Sequence, residues 1–381
     1  MQMKPRILYV CNDSFYFAQH RAHVARRMLG EGWQVDLAVG GDLTHVPAGI
    51  AAHALTMDRL RFTPTGDWRL SRQIRRVIVE LRPDIVHFIT MKPIVFGALG
   101  LLFPKLPPAA RPKRIVATFP GLGRAFENNS MKGAIQRAIV VQTLRRLFRS
   151  LPAVATFENA SDMETLRRSG ILLSEQGHVL KGAGLDLEQF AAPPRRNEGK
   201  FRVLWASRLI HGKGLAEYIE AARLARAQGA TKVEFLVAGY RDPGHEDSIS
   251  AGETEKLRTE PAIRFLGHVT DMAALLRSVD TLVLPSRYNE GLPRSLIEAA
   301  ASALPTIASD NAGCRAVVLD DVTGLILPEV SAEAIWNAVS ALATNPEKAR
   351  EMGAAASHHI RTNGFSENAV QEAFLSSYGL R

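Results

Sequence analysis

Two cations and two carboxylates in the second half of this 381-residue chain have the types and spacing to hold an anion beside a hydroxyl-rich ligand. Arg208 and Lys213 stand in Ser207-Arg208-Leu209-Ile210-His211-Gly212-Lys213-Gly214, between the apolar run Phe201 to Ala206 and a helical pattern that opens at Gly214. A strand-to-helix turn offers free backbone N–H groups. An arginine there can donate in bidentate fashion to phosphate oxygens, and a lysine adds a point charge. An ordinary solvated loop would look the same taken alone. The turn lacks the full lysine-ended phosphate-loop pattern, which disfavours a nucleoside-triphosphate hydrolase.

Glu290 and Glu298 lie in Pro285 to Glu298, directly after the strand candidate Thr281 to Leu284. Pro293 suits the first turn of a helix, so Gly291 and Leu292 would offer N–H groups at its mouth. Eight residues make about two helical turns, which would let Glu298 project on the same side as the helix start, but deeper. Each carboxylate accepts hydrogen bonds from a diol. Without the neighbouring cations, two glutamates at this spacing are ordinary surface charge.

The elements that must position these groups alternate between strand and helix. Arg6 to Val10, a helix near His20 to Glu31, and Gln34 to Val39 make a βαβ start, and Ile85 to Ile89, Ile115 to Thr118 and Val154 to Phe157 continue the strands. Ala191 to Lys200 breaks into Pro, Gly and charge, a linker signature. A second series follows: Phe201 to Ala206, Val233 to Ala238, Ile263 to Leu266, Thr281 to Leu284 and Thr306 to Ala308. The reading is α/β: two doubly wound Rossmann-like domains, residues 1–190 and 200–365, facing across a cleft. A helix over 366–381, with Val370, Phe374 and Leu375 on one side, is expected to pack back on the first domain.

The net charge of +9 is unevenly placed. Residues 1–190 hold 26 Lys plus Arg against 15 Asp plus Glu, whereas the remainder holds 21 against 23. A basic first half points to an anionic surface or ligand, or simply to a soluble basic face. Cys11 and Cys314 have no ligand spacing, so neither a disulfide framework nor a zinc site is expected. The N-terminal apolar run, Ile7 to Cys11, is too short for a signal peptide, and Ile94 to Phe103 is about half of a bilayer span. A cytoplasmic protein is the expectation.

With these residues in view, the second half resembles glycosyltransferase family 4 of the GT-B fold: Arg208-Leu209 with Lys213-Gly214, Glu290-Gly291-Leu292-Pro293 through Glu298, Ala308-Ser309-Asp310, and Asp321-Val322-Thr323-Gly324. The resemblance implies that Arg208 and Lys213 bind a donor diphosphate, Glu290 the donor sugar and Glu298 the ribose. It puts Gly267, His268 and Val269 beside the nucleotide base, and makes Glu290, Arg208 and Lys213 the catalytic group. It also implies retention at the anomeric carbon. The donor, a UDP-sugar in preference to a GDP-sugar, is a substrate, and no cofactor is expected.

The first half carries Phe17, His20 and Arg21 in the phenylalanine-x-x-histidine-arginine pattern of enzymes that extend undecaprenyl-diphosphate-linked sugars. His87-Phe88, Met91-Lys92-Pro93, Thr118 to Gly123 and Gly182 to Leu187 are similar to that subgroup too. The implied acceptor is a polyprenyl-diphosphate-linked saccharide, with Asn12, Asp13, Ser14, His20, His87, Lys92, Thr118 and Gly121 on its side of the site. A lone His20 or His87 would be an ordinary packing residue. One departure concerns Thr118 to Gly121: many family members have a histidine in this loop against the donor sugar, and this chain has Phe119-Pro120. Charge neutralisation then rests on Arg208 and Lys213. No Asp-x-Asp motif ends a strand, and metal independence is expected.

Helix patterns over Lys132 to Leu151 and Ser71 to Arg82 set arginines beside apolar residues, including Ile135, Ile139, Val140, Leu147 and Phe148. They read either as peripheral anchors on the inner, anionic face of the plasma membrane or as core-packed crossovers. Among rival functions, a nicotinamide oxidoreductase lacks its Gly-x-Gly-x-x-Gly turn, and a nucleic-acid binder lacks recognition modules. A GT-B-like epimerase or phosphorylase is the nearest alternative.

Overall fold

The computed structural model describes residues 4–57, 64–122, 131–191, 199–288 and 290–381. Ile7 to Val10 is an unbroken apolar run because its strand is covered on both faces by helices. It belongs to β1 (Arg6–Cys11), followed by α1 (Ser14–His20), α2 (Ala22–Gly30), β2 (Gln34–Gly40), β3 (Ala51–Leu55), α3 (Pro64–Leu81) and β4 (Ile85–Ile89). Next come α4 (Met91–Leu102), β5 (Arg114–Phe119), α5 (Met131–Ser150), β6 (Ala153–Phe157), α6 (Ala160–Arg168) and β7 (Gly177–Val179). All seven strands are parallel, in the order β3-β2-β1-β4-β5-β6-β7.

The second series is β8 (Phe201–Ala206), α7 (Leu215–Ala227), β9 (Val233–Ala238), α8 (Ala251–Thr259), β10 (Arg264–Gly267), α9 (Met272–Leu276) and β11 (Thr281–Leu284). It continues with α10 (Arg294–Ala301), β12 (Thr306–Ser309), α11 (Ala312–Arg315), β13 (Gly324–Leu327), α12 (Ala332–Thr344), α13 (Pro346–Thr362) and α14 (Glu367–Tyr378). Its six parallel strands run β10-β9-β8-β11-β12-β13. Both sheets reverse their winding, between β1 and β4 and between β8 and β11. Ligands of open parallel sheets bind outside the carboxyl ends at such points.

The chain divides into two compact units, residues 1–184 with 367–381, and residues 185–366. The first boundary therefore comes before the expected one at 190–200. Leu185, Leu187 and Phe190 are buried with Phe365 in the second unit's core, and the Leu185 N–H donates to the Phe365 carbonyl at 2.9 Å. Most of the Pro/Gly-rich stretch, 192–198, lies outside the described residues. Helix α14 belongs to the first unit: Val370, Phe374, Leu375 and Tyr378 bury against the same cluster as Tyr9, Phe17 and Val24.

Basic α5 divides its apolar residues differently from the sequence pattern. Val140, Leu144, Leu147 and Phe148 face the core, while Ile135 and Ile139 are 64% and 57% exposed. No helix among the described residues is long and apolar enough to cross a membrane.

Candidate active site

Two glycines shape the turn after β8. Gly214 has φ +71°, and a Cβ there would collide with the Pro285 carbonyl; a Cβ at Gly212 would collide with the Tyr288 ring. Both contacts bring the β8–α7 turn against the segment that follows β11. The Gly212 carbonyl also accepts from the Arg287 N–H at 2.8 Å. The turn and this segment thus flank the winding reversal from its two sides, with Arg208 and Lys213 on one and Glu290 on the other.

Lys213 and Glu290 form an ion pair with both side chains close to nine-tenths buried, and the Ser286 hydroxyl donates to the same Glu290 oxygen. The Lys213 carbonyl accepts from the Trp205 indole N–H at 3.1 Å, which fixes the backbone under the lysine. Behind Glu290, a Cβ at Gly313 would run into the Glu290 and Gly291 carbonyl oxygens, so α11 packs closely on this loop. Arg208 is a third exposed, and its guanidinium meets Asp242 at 2.7 Å.

Glu298 lies on α10, but the two glutamates are not separated by two helical turns. The helix starts at Arg294 with Pro293 as its extended N-cap, so Glu290 to Leu292 are loop. Glu298 is 8% exposed and its carboxylate accepts from Arg294 at 2.7 Å. Burial raises its pKa above the usual carboxylate range, against the pull of the nearby guanidinium. Gly291 and Leu292 are half-buried, and Asn289 lies outside the described residues.

Gly267 ends β10 in a left-handed conformation, φ +69°, with open space where a Cβ would stand. His268 is exposed, its ring 5.1 Å from that of exposed Tyr240, and Val269 is half-buried. These residues sit at the same sheet end as Arg208 but two strands away, about 10 Å at the usual spacing. Sequence reasoning missed Ser286, Tyr288, Asp242 and Asp247. Asp247 accepts from the Gly212 N–H at 2.8 Å and from the Tyr288 hydroxyl at 2.5 Å. Its only sequence signal is a polar loop after a strand. Among the described residues, no three His, Cys, Asp or Glu side chains gather to hold a metal ion.

The first unit treats its singled-out residues differently. His87 and Thr118 are buried, at 0% and 1% exposure. The His87 Nδ1 meets the Tyr378 hydroxyl at 2.8 Å, its Nε2 meets Thr118 Oγ1 at 2.6 Å, and Thr118 continues to Thr156 Oγ1 at 2.6 Å. Burial drives the His87 pKa well below its ordinary value, so the ring is neutral. Lys92 is 4% exposed and ion-paired to buried Asp67 at 2.8 Å. The resemblance implied acceptor contact for these three; their burial and their partners make them parts of the fold. Phe119, in the segment where the resemblance led to the expectation of a histidine, is buried and stacked on Phe157.

The other positions follow β1 and β5 in sequence. Asp13 caps α1 by accepting from the Tyr16 N–H at 2.7 Å, and buried Ser14 donates to the Asp42 carbonyl at 2.6 Å. His20 is half-buried with its ring 4.4 Å from Tyr16. Asn12 is half-buried at the end of β1, and its Oδ1 has no hydrogen-bond partner. Gly121 has open space around its Cα, while Gly123 lies outside the described residues. Arg21, singled out with His20, is fully buried, paired with Glu158 at 3.1 Å and laid over Phe374.

Comparison with known proteins agrees with this architecture. The "Glycosyl transferase 4-like" family model matches residues 6–148, and the "Glycosyl transferases group 1" model matches residues 187–359. The chain is 26% identical over 317 residues to the N,N'-diacetylbacillosaminyl-diphospho-undecaprenol alpha-1,3-N-acetylgalactosaminyltransferase of Campylobacter jejuni, covering 80% of this chain and 79% of that one. It is 25% identical over 365 residues to the putative glycosyltransferase EpsD of Bacillus subtilis, covering 92% and 91%. Among solved structures, Anabaena HepE in complex with UDP aligns with a TM-score of 0.75 at 17% identity, over 99% of this chain and 100% of that one. WaaG, a glycosyltransferase involved in lipopolysaccharide biosynthesis, aligns at 0.71 and 14%, over 98% and 100%. With a 4-like first domain, a group 1 second domain and two parallel Rossmann-like sheets, the chain is a glycosyltransferase of the GT-B fold.

Proposed function

We propose that this glycosyltransferase moves a sugar, with retention at the anomeric carbon, from a UDP-sugar to a polyprenyl-diphosphate-linked saccharide. The observation that carries the reading is the meeting of Lys213 and Glu290, with Arg208 near them, at the winding reversal of the second unit. In this reading Arg208 and Lys213 hold the diphosphate and neutralise the charge that develops as it leaves, an electrostatic form of catalysis. Glu290 accepts hydrogen bonds from the donor sugar, Glu298 from the ribose, and the Gly291 to Pro293 backbone faces the phosphates. Gly267, His268 and Val269 stand beside the base, at a distance from Arg208 that suits a nucleoside diphosphate. The two cations do the work a divalent metal does in other transferases, so turnover persists in EDTA.

Support for the acceptor comes from the Campylobacter relative, whose name specifies an undecaprenol-diphosphate-linked saccharide, and support for UDP from HepE. Asn12, Asp13, Ser14 and Gly121 are the acceptor-side residues that follow strand ends of the first unit, and His20 ends α1. An anionic membrane surface completes the reading. Ile135 and Ile139 are exposed on the same helix as Arg146 and Arg149, and exposed Phe103 lies 5.9 Å below the Arg146 guanidinium. Anionic liposomes should then float the protein at low salt and lose it at high salt.

The test is a screen of UDP- and GDP-sugars against polyprenyl-diphosphate-linked saccharides, with mass spectrometry of the products. A product heavier by one sugar, with the donor's anomeric configuration, is expected from a UDP-sugar. Hydrolysis or epimerisation of the donor with no transfer would overturn the reading.

A further inference from the structure

The two loops that carry the proposed donor grip are joined through a third, Tyr240 to Ser250 after β9. At its far end Asp247 uses one carboxylate oxygen twice, accepting from the Gly212 N–H at 2.8 Å and from the Tyr288 hydroxyl at 2.5 Å. Its carbonyl accepts from the His211 N–H at 2.9 Å. Gly212 is next to Lys213, and Tyr288 is two residues before Glu290. The tyrosine ring lies close over Gly212, in the space a Cβ would occupy. A single carboxylate therefore spans the backbone under the lysine and the arm that carries the glutamate.

A half-buried aspartate on a loop gains little from two such bonds unless their geometry serves something else. Burial pushes the Asp247 pKa up, but the Tyr288 and Gly212 donors hold it below the usual carboxylate value, so the group is charged at neutral pH. Charge-assisted bonds of this kind are short and directional, and they fix the distance between the groups they join. Lys213 and Glu290 must be held at one separation to contact a leaving phosphate and a donor sugar together, because small misplacements of binding groups are costly in rate.

We infer that Asp247 is a positioning residue for the donor, clamping the Gly212-Lys213 turn to the Tyr288-Glu290 arm. The inference rests on the donor reading above and adds a residue that does not touch the donor. Loss of the clamp loosens donor binding more than it slows the bound complex.

The test measures UDP affinity by calorimetry, together with donor KM, acceptor KM and kcat, for the wild type, Asp247→Ala, Tyr288→Phe and the double variant. Asp247→Ala should raise the UDP Kd and donor KM about tenfold, with the acceptor KM unchanged and kcat within about threefold. Tyr288→Phe removes one hydroxyl, keeps the ring over Gly212, and should give a smaller rise of the same kind. The double variant should be no worse than Asp247→Ala, since both act through one contact. If the wild type binds UDP and both single variants bind it equally well, the clamp is wrong while the donor reading stands. Additive losses, or a fall in kcat with KM unchanged, would also overturn it. A wild type that binds no nucleoside diphosphate would overturn the donor reading and the clamp together.

Discussion

At the carboxyl ends of its strands the second unit gathers charge, and the first unit spends it. Lys213, Glu290, Arg208 and Glu298 each meet a partner that a ligand could replace or join, and Arg208 keeps a third of its side chain in solvent. His87 on β4, Thr118 on β5 and Lys92 at the start of α4 were also candidates for ligand contact, yet they are closed off by Tyr378, Thr156 and Asp67. The difference lies in what a buried polar group costs. A neutral histidine with both ring nitrogens satisfied adds to a core, whereas a buried carboxylate such as Glu298 burdens it. A group kept in place against stability is the better candidate for binding.

Substitutions should separate the two units. The largest effect is expected from Glu290→Ala or Lys213→Ala, each lowering kcat/KM for transfer about a thousandfold, measured with the donor and acceptor that the screen identifies. Wild-type kinetics in either would remove the second unit from the comparison. His87→Ala should cost about 3 kcal/mol of stability in urea unfolding, from the cavity and from the hydrogen bonds lost by Thr118 and Tyr378, which keep only Thr156 and Tyr9 as partners. UDP affinity should not move with it. A loss of UDP binding without loss of stability would make His87 a ligand residue after all.

Glu298→Gln sharpens the contrast further. Its folded pKa is raised, so its contribution to stability is present at low pH and lost as the pH rises through that value; at neutral pH the carboxylate is a burden. The amide should melt no lower than the wild type, while its UDP Kd rises about tenfold. The smallest effect is one of pH. His87 is neutral in the fold and titrates near 6.5 when unfolded, so its stability is complete above that pH and declines below it. Melting temperature should fall between pH 7.5 and pH 5 by more in the wild type than in His87→Gln.

The central strands were legible because parallel strands covered on both faces need unbroken apolar runs: Ile85 to Ile89, Phe201 to Ala206 and Thr281 to Leu284 have the bounds the pattern gives. The outer strands β3, β7 and β13 were not. β3 is Ala-Ala-His-Ala-Leu, mostly exposed on a sheet edge, and β7 is only Gly-His-Val. Edge strands are specified by pairing more than by composition. In the site, Arg208, Lys213 and Glu290 could be found because chain-local motifs flank the winding reversal. Asp242 and Asp247 act across 34 and 35 residues of sequence, through contacts that no local spacing encodes. Motif and strand-end position also could not tell a histidine facing a ligand from one facing Tyr378, 291 residues away.

The place of α14 bears on how the protein is made. Val370, Phe374, Leu375 and Tyr378 complete a cluster whose other members, Tyr9 and Phe17 among them, leave the ribosome before any of the second unit. Synthesis at roughly 5–20 residues per second leaves that apolar face without its cover for tens of seconds, while all of the second unit is translated. The first unit must therefore wait, exposed to chaperones and to misassociation, for a helix encoded after the second unit. A nascent chain stalled before residue 367 should expose this face, which hydrophobic dye binding can detect.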